Sequence, residues 1–249
     1  MIRFLFWKAS TLLCLCACVI PFLSVTEISA KGPDDPLWLK ALRVTGESMG
    51  LVPTEIREEI RVYRKKTKID QHTLSLYEVS KDDKGVIQGR LVKSTRNGKE
   101  FTKGRQKELD RQKDKKILKE EQNIFLPENQ DSITVRRTGQ IRDINGRKCV
   151  AMEYVQMLSS SVEKGIVWLD VVTGTPYRLE TVPQKVPELY EKVVLRKTEV
   201  AFDYAVSPDG RWTLNKMIIN AEIEFTAFLF FTYKGHCLIE TVFDKYKRL

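Results

Sequence analysis

Histidine is nearly missing from this chain: His72 and His236 are the only two in 249 residues. Neither sits in a nucleophile motif, and a zinc site needs more ligands than these and a few scattered cysteines supply. Other marks of catalysis are missing too. There is no Gly-x-Ser-x-Gly, no His-Glu-x-x-His, no phosphate-binding glycine loop and no dinucleotide fingerprint. The carboxylates are spread over turns and polar strand faces, with no apolar-flanked pair of the kind glycoside hydrolysis uses. Cys237 follows His236, but neighbouring strand residues point to opposite faces, so a thiol–imidazole pair is not expected. The expectation is a protein with no catalytic residue, no metal and no cofactor.

Cysteine is scarce beyond the N-terminus. Of five, Cys14, Cys16 and Cys18 lie in the first eighteen residues, leaving Cys149 and Cys237. In an oxidising compartment these two form one disulfide if their Cα atoms lie close enough. Otherwise they pack as small hydrophobes on neighbouring strands, and both readings stand. Past the N-terminus no apolar run is long enough to span a bilayer; residues 225–233 come closest and are too short. The net charge of +9 is modest for this length. It suits the vicinity of anionic lipid head groups, and nucleic acid is not an expected partner for an exported chain.

The export signal is the first feature present. Arg3 and Lys8 supply a positive start, residues 9–25 are apolar or small, and Ile28-Ser29-Ala30 offers a cleavage site before Lys31. Leu15-Cys16-Ala17-Cys18 also resembles a lipoprotein signal with Cys18 acylated. Against that, the chain stays apolar through Leu23, where a lipoprotein tether is normally polar. Cleavage after Ala30 and a periplasmic location are expected, with a signal peptide at 1–30 and one domain over 31–249.

Beyond the signal, Asp34-Asp35-Pro36 reads as a capped helix start. Leu37, Trp38, Ala41, Leu42, Thr45 and Met49 follow at helical spacing until Gly50. Then the period falls to two. Residues 60–69 read as one long strand with a wet face, and 73–79 and 86–92 follow as strands. Residues 103–125 interrupt with a charged, solvated helix stopped by Pro127. Strands resume after Asp131, turning at Asn145-Gly146, Thr173-Gly174 and Ser207-Pro208-Asp209-Gly210. About ten strands and two helices make an α+β chain dominated by one antiparallel sheet, which at this size curls into a partial or complete barrel.

Residues 225–233 are apolar or aromatic on both faces of a presumed strand. Ordinary burial explains this, and so does a strand lining an apolar cavity. On the second reading the lining candidates are Trp38, Leu42 and Met49 on the helix with Phe225, Phe228, Phe230 and Phe231 on the strand.

These segments together resemble a family. The features are the signal, the amphipathic helix, the strand meander and the charged helix ending near Phe125-Leu126-Pro127. Asn145-Gly146-Arg147-Lys148-Cys149-Val150 follows, then Gly165-Ile166-Val167-Trp168-Leu169-Asp170 with Thr173-Gly174-Thr175-Pro176-Tyr177-Arg178-Leu179. Pro208-Asp209-Gly210-Arg211-Trp212 and Phe243-Asp244-Lys245-Tyr246-Lys247-Arg248 close the chain. The order is similar to that of the bacterial outer-membrane lipoprotein carriers, the LolA-like proteins, and most of all to their divergent lipoprotein-sorting-like members. The resemblance implies an unclosed β-barrel whose concave apolar face is lidded by two or three helices and holds an acyl chain of a lipid or lipoprotein. It brings no catalytic residues. It also implies an arginine that latches the lid, and Arg43 on the first helix is not assigned that role. The alternative on the same fold is an envelope module that binds a protein partner without catalysis. In either case the protein is at most peripheral to the membrane.

Overall fold

Tight hairpins dictate the architecture. In the computed structural model, β1 (Leu51–Lys65), β2 (Lys68–Lys81), β3 (Ile87–Arg96) and β4 (Lys99–Glu100) run outward as a meander. The chain reappears at the opposite edge as β5 (Ile133–Ile144). It then returns through β6 (Arg147–Leu158), β7 (Ser161–Asp170), β8 (Pro176–Thr181), β9 (Val193–Val206) and β10 (Trp212–Ala227). The last strand, β11 (Phe231–Arg248), pairs with β1, so the two meanders form one antiparallel sheet of eleven strands. β4 and β5 are its free edges, so the barrel is curved but not closed, as expected. The structure describes residues 33–48, 50–65, 68–81, 87–110, 124–158, 161–181, 193–227 and 231–248. Contacts divide the chain between Ala30 and Lys31, and the account below concerns the second unit.

Two expected strands are in fact hairpins. Lys65 pairs with Lys68, so residues 60–69 are the end of β1 and the start of β2. Phe225 pairs with Tyr233 and Ala227 with Phe231, so the aromatic run 225–233 is a hairpin between β10 and β11. Period and composition do not separate these cases, because neither segment carries a glycine or proline at the turn.

α1 (Pro36–Glu47) starts where its cap predicts: Asp35 Oδ1 accepts from Leu37 N at 2.8 Å and Trp38 N at 3.3 Å, with Pro36 in the first turn. The helix crosses several strands. Asp35 pairs with Arg137 of β5 at 2.9 Å, and at the far end Ser48 Oγ accepts from Trp212 N of β10 at 2.8 Å. Midway it is gripped by the β7–β8 turn. Asp170 Oδ1 accepts from Val172 N, Thr173 N and Thr173 Oγ1, and Gly174 adopts φ +74° directly against the Leu37 carbonyl. The charged helix expected at 103–125 is described as α2 (Thr102–Asp110). A 3-10 helix at Pro127–Ser132, unmarked by any hydrophobic period, leads into β5.

Strand register orders one face of the sheet into rows. Met152, Val167, Leu179, Phe202, Met217, Thr241, Glu58, Ser75 and Ser94 are successive partners from β6 to β3. The next row is Tyr154, Gly165, Thr181, Val200, Ile219, Ile239, Ile60, Thr73 and Arg96. Both described α-helices dock on this face. Burial of its large side chains beneath α1 contributes about 1.5–3 kcal/mol each.

Candidate functional site

The helix-side face changes character across the sheet. Under α1 it is solid. Trp38 is fully buried; its ring centroid is 5.5 Å from that of Phe125, which meets Trp212 edge-on at 5.6 Å, and Trp212 stacks on Tyr204 at 4.3 Å. The indole nitrogens and Gln130 are satisfied, whereas the buried Gln156 amide on the same face of β6 has no hydrogen-bond partner among the described residues. Trp38 Nε1 donates to Gln130 Oε1 at 2.9 Å, Gln130 Nε2 donates to the Ile124 and Leu126 carbonyls, and Trp212 Nε1 donates to the Pro176 carbonyl at 2.7 Å. A closed network of this kind rigidifies a core and leaves no room for a ligand.

Over β9, β10, β11 and β1 the same face stays apolar. Ala221, Ile223, Cys237 and Ile239 are buried, with Ile60, Val62 and Ile219 packed against them. Ile56, Ile60, Val62, Val200 and Ile219 are only half-buried. These residues form a strip about 14 Å wide across four strands at ordinary strand spacing. The strip lies between the sectors where α1 and α2 dock.

Beyond β1 the face turns polar. Thr73, Ser75 and Ser94 are buried, and the Ser75 and Ser94 hydroxyls bond each other at 3.0 Å. α2 is fastened here by Arg105, whose side chain is 6 % exposed. Its Nη2 pairs with Glu58 Oε1 at 2.7 Å, and its Nε donates to Tyr77 Oη at 3.4 Å. Tyr77 Oη donates to the same Glu58 oxygen at 3.1 Å. Burial, followed by the Glu58 charge, pushes the Tyr77 phenol up to about 12, so it stays a donor at any physiological pH. Arg105 thus ties α2 to this sheet as Arg137 ties the start of α1, while Arg43 is exposed on α1. Arg105 carried no sequence signal, since its role depends on Glu58 lying 47 residues away.

The opposite face is charged. Glu240 joins Lys216 to Arg61 (2.9 Å), Arg61 joins Glu59 (2.7 Å), and Glu59 Oε1 lies 2.7 Å from His72 Nε2. The Lys216 bond, against the effect of burial, holds the Glu240 carboxyl below its ordinary value. Arg178 bridges Glu180 at 2.7 Å and Asp203 at 2.8 Å. A hollow of about 880 Å³ opens on this side, its lining including Glu153, Lys164, Ile166, Arg178, Glu199 and Ile218. His236 also faces this way and bonds Asn220, whereas Cys237 lies in the apolar cluster on the helix side.

Of the residues expected to line one cavity, the described ones on the helix (Trp38, Leu42) and on the strands (Phe225, Phe231) do not come together. Trp38 is core and Leu42 packs on that core. Phe225, paired with Tyr233, and Phe231, paired with Ala227, lie at the far end of β10 and β11, about 40 Å of strand from the Trp212 end that meets α1. Met49, Phe228 and Phe230 lie outside the described residues. Cys149 and Cys237 are free thiols in separate clusters, on strands β6 and β11 that are far from adjacent. Burial, with the Asp170 charge at Cys149 and the Glu58 charge at Cys237, pushes each up to about 11. Among the described residues no group of three ligating side chains is placed to hold a metal, and no helix is long and apolar enough to cross a membrane.

No family model matches the chain, and no curated protein does. Among solved structures the chain is similar to a DUF1329 family protein from Desulfovibrio piger, with TM-score 0.34 and 10% identity over 85% of this chain and 91% of that one. It is also similar to MucB in complex with MucA(peri), with TM-score 0.23 and 9% identity over 83% of this chain and 93% of that one. Likeness at these scores carries no functional argument, which rests on the chain's own geometry.

Proposed function

We propose that this protein is an exported, non-catalytic carrier that holds an acyl chain of a lipid or lipoprotein against the helix-side face of its sheet. The observation that carries the reading is the half-buried apolar strip formed by Ile56, Ile60, Val62, Val200 and Ile219. It adjoins a filled core on one side and the Arg105-fastened helix on the other. Each methylene buried there contributes about 0.8 kcal/mol, so ten would supply about 8 kcal/mol before the costs of ordering. No polar chemistry is needed for that, which agrees with the lack of any catalytic motif in the sequence. The export signal and the resemblance to lipoprotein carriers point the same way.

The test is native mass spectrometry, with organic extraction, of protein purified from the cell envelope. A bound acyl-bearing molecule at one per chain supports the reading. Protein that is consistently lipid-free and fails to bind a fluorescent fatty acid defeats it. A second reading, an envelope module that docks a protein partner, is favoured by the hollow on the opposite face with its mixed charged and apolar lining. In-cell crosslinking from positions 164 and 199 distinguishes the two, since a single stable protein adduct belongs to the second reading alone.

A further inference from the structure

The hairpin turns beside α1 combine exposed valines with exposed cations. Val172 is 71% exposed, and Val171 and Val206 are each 40% exposed. The β7–β8 and β9–β10 turns that carry them border a common hollow of about 540 Å³, together with Arg147 of the β5–β6 turn. The turns are braced as one rim. Val171 N donates to the Lys148 carbonyl at 3.0 Å, and Lys40 of α1 donates to the Val172 carbonyl at 2.9 Å.

Charge on this rim is mostly positive in what it offers to solvent. Asp170 is buried and accepts from its own turn, and Asp209 is paired with Arg211, while Asp143 accepts from Gly146 N and stays exposed opposite Lys148. Arg147 and Lys148 are exposed and form no ion pair within 4 Å among the described residues, and the Arg147 charge acts on the Asp170 carboxylate from a distance. Turn formation thus engages Asp170 and Asp209 and leaves Arg147, Lys148 and Lys40 in excess over the one exposed, unbridged carboxylate, Asp143, beside an apolar tip.

We infer that this rim is a docking surface for an anionic phospholipid bilayer, with Val171, Val172 and Val206 entering the headgroup region and Arg147, Lys148 and Lys40 facing the phosphates. Shallow apolar insertion and basic flanks are the two signals that together hold a protein reversibly at a membrane, and neither suffices alone. The inference goes beyond the carrier reading and stands whatever the helix-side face binds.

The experiment is co-sedimentation of the protein with phosphatidylethanolamine vesicles, with and without phosphatidylglycerol. The protein is expected to bind the anionic vesicles and to be released by salt. Reversal of two cations in Arg147→Glu/Lys148→Glu is expected to weaken binding about 30-fold. Val171→Asp/Val172→Asp is expected to weaken it about tenfold or more. Arg147 and Lys148 are exposed at the start of β6 and Val171 and Val172 sit in the β7–β8 turn, and unchanged melting curves establish that each variant folds. Lys93→Glu/Lys99→Glu, at the other edge of the sheet, matches the charge change and is expected to bind almost as the unaltered protein does. The inference is overturned if the unaltered protein ignores anionic vesicles, if either rim variant binds normally, or if the distant reversal weakens binding as much. It is equally overturned if the rim variants abolish a self-association seen by ultracentrifugation and leave vesicle binding intact. Bound lipid in the helix-side strip changes none of these outcomes, so failure here is distinguishable from failure of the carrier reading.

Discussion

Replacing Arg105 with alanine removes one partner of an almost fully buried ion pair and leaves Glu58 facing Tyr77 without its cation. Breaking such a pair costs about 3–5 kcal/mol, most of it the desolvation penalty of the charge left behind. Glu58 keeps 20 % of its side chain exposed, so water partly relieves it and the lower end, about 3 kcal/mol, applies. In a domain of this size that corresponds to a melting temperature about 6–12 °C lower. The double variant Arg105→Met/Glu58→Leu removes both charges and keeps apolar volume, and is expected to lie within about 1 kcal/mol of the unaltered protein. Urea unfolding of the two singles and the double completes the cycle, and hydrogen exchange at residues 102–110 reports whether α2 has come off the sheet. A single variant with unchanged stability and unchanged exchange would refute the reasoning, because it would mean that Arg105 is solvated and α2 is not held by it.

Gly174→Ala places a Cβ 2.6 Å from Lys40 Cβ and 2.8 Å from the Leu37 carbonyl, at φ +74°. A loss of about 2 kcal/mol is expected by urea denaturation, with α1 loosened first. Burial raises the Asp170 carboxyl, but the amides of Thr173 and Val172 outweigh it and leave it below its ordinary value. Its contribution is therefore present above about pH 4 and is lost as pH falls through the lower folded value. Thermal melts from pH 7 to 2 are expected to show this slope, and Asp170→Asn to flatten it while costing about 1–3 kcal/mol. Cys149 and Cys237, both buried and each pushed up to about 11, are about one part in a thousand ionised at pH 8. They are expected to resist a thiol reagent in the folded protein and to react together on unfolding, without prior reduction.

Much of the sheet was legible because its turns are written in glycine and asparagine. Asn97-Gly98, Asn145-Gly146 and Gly174 all adopt the left-handed conformations their residues favour. The start of α1 was equally legible from Asp35 and Pro36, since capping is local. What stayed hidden depends on partners distant in sequence. The hairpin within residues 225–233 contains no turn residue, so composition described one strand. That reading put Trp38 and Phe225 on one cavity, although about 40 Å of strand lies between Phe225 and the end of β10 that meets α1. The strip of Ile56, Ile60, Val62, Val200 and Ile219 emerges only from register, because its members lie on three strands and are unremarkable within each. Trp38 was correctly placed on a buried helical face, but whether that face meets solid core or open space is a property of Phe125, Gln130 and Trp212 together. Arg105 was hidden for the same reason, inside a segment read as a solvated helix.

The central claim is that the helix-side strip carries an acyl chain. Titration with a fluorescent fatty acid, comparing the unaltered protein with Ile60→Asp and Ile219→Asp, tests it most directly. The account predicts saturable binding at one site that is lost or at least tenfold weaker in both variants, which still unfold cooperatively. Binding that both variants retain, or no binding by delipidated unaltered protein, would contradict it.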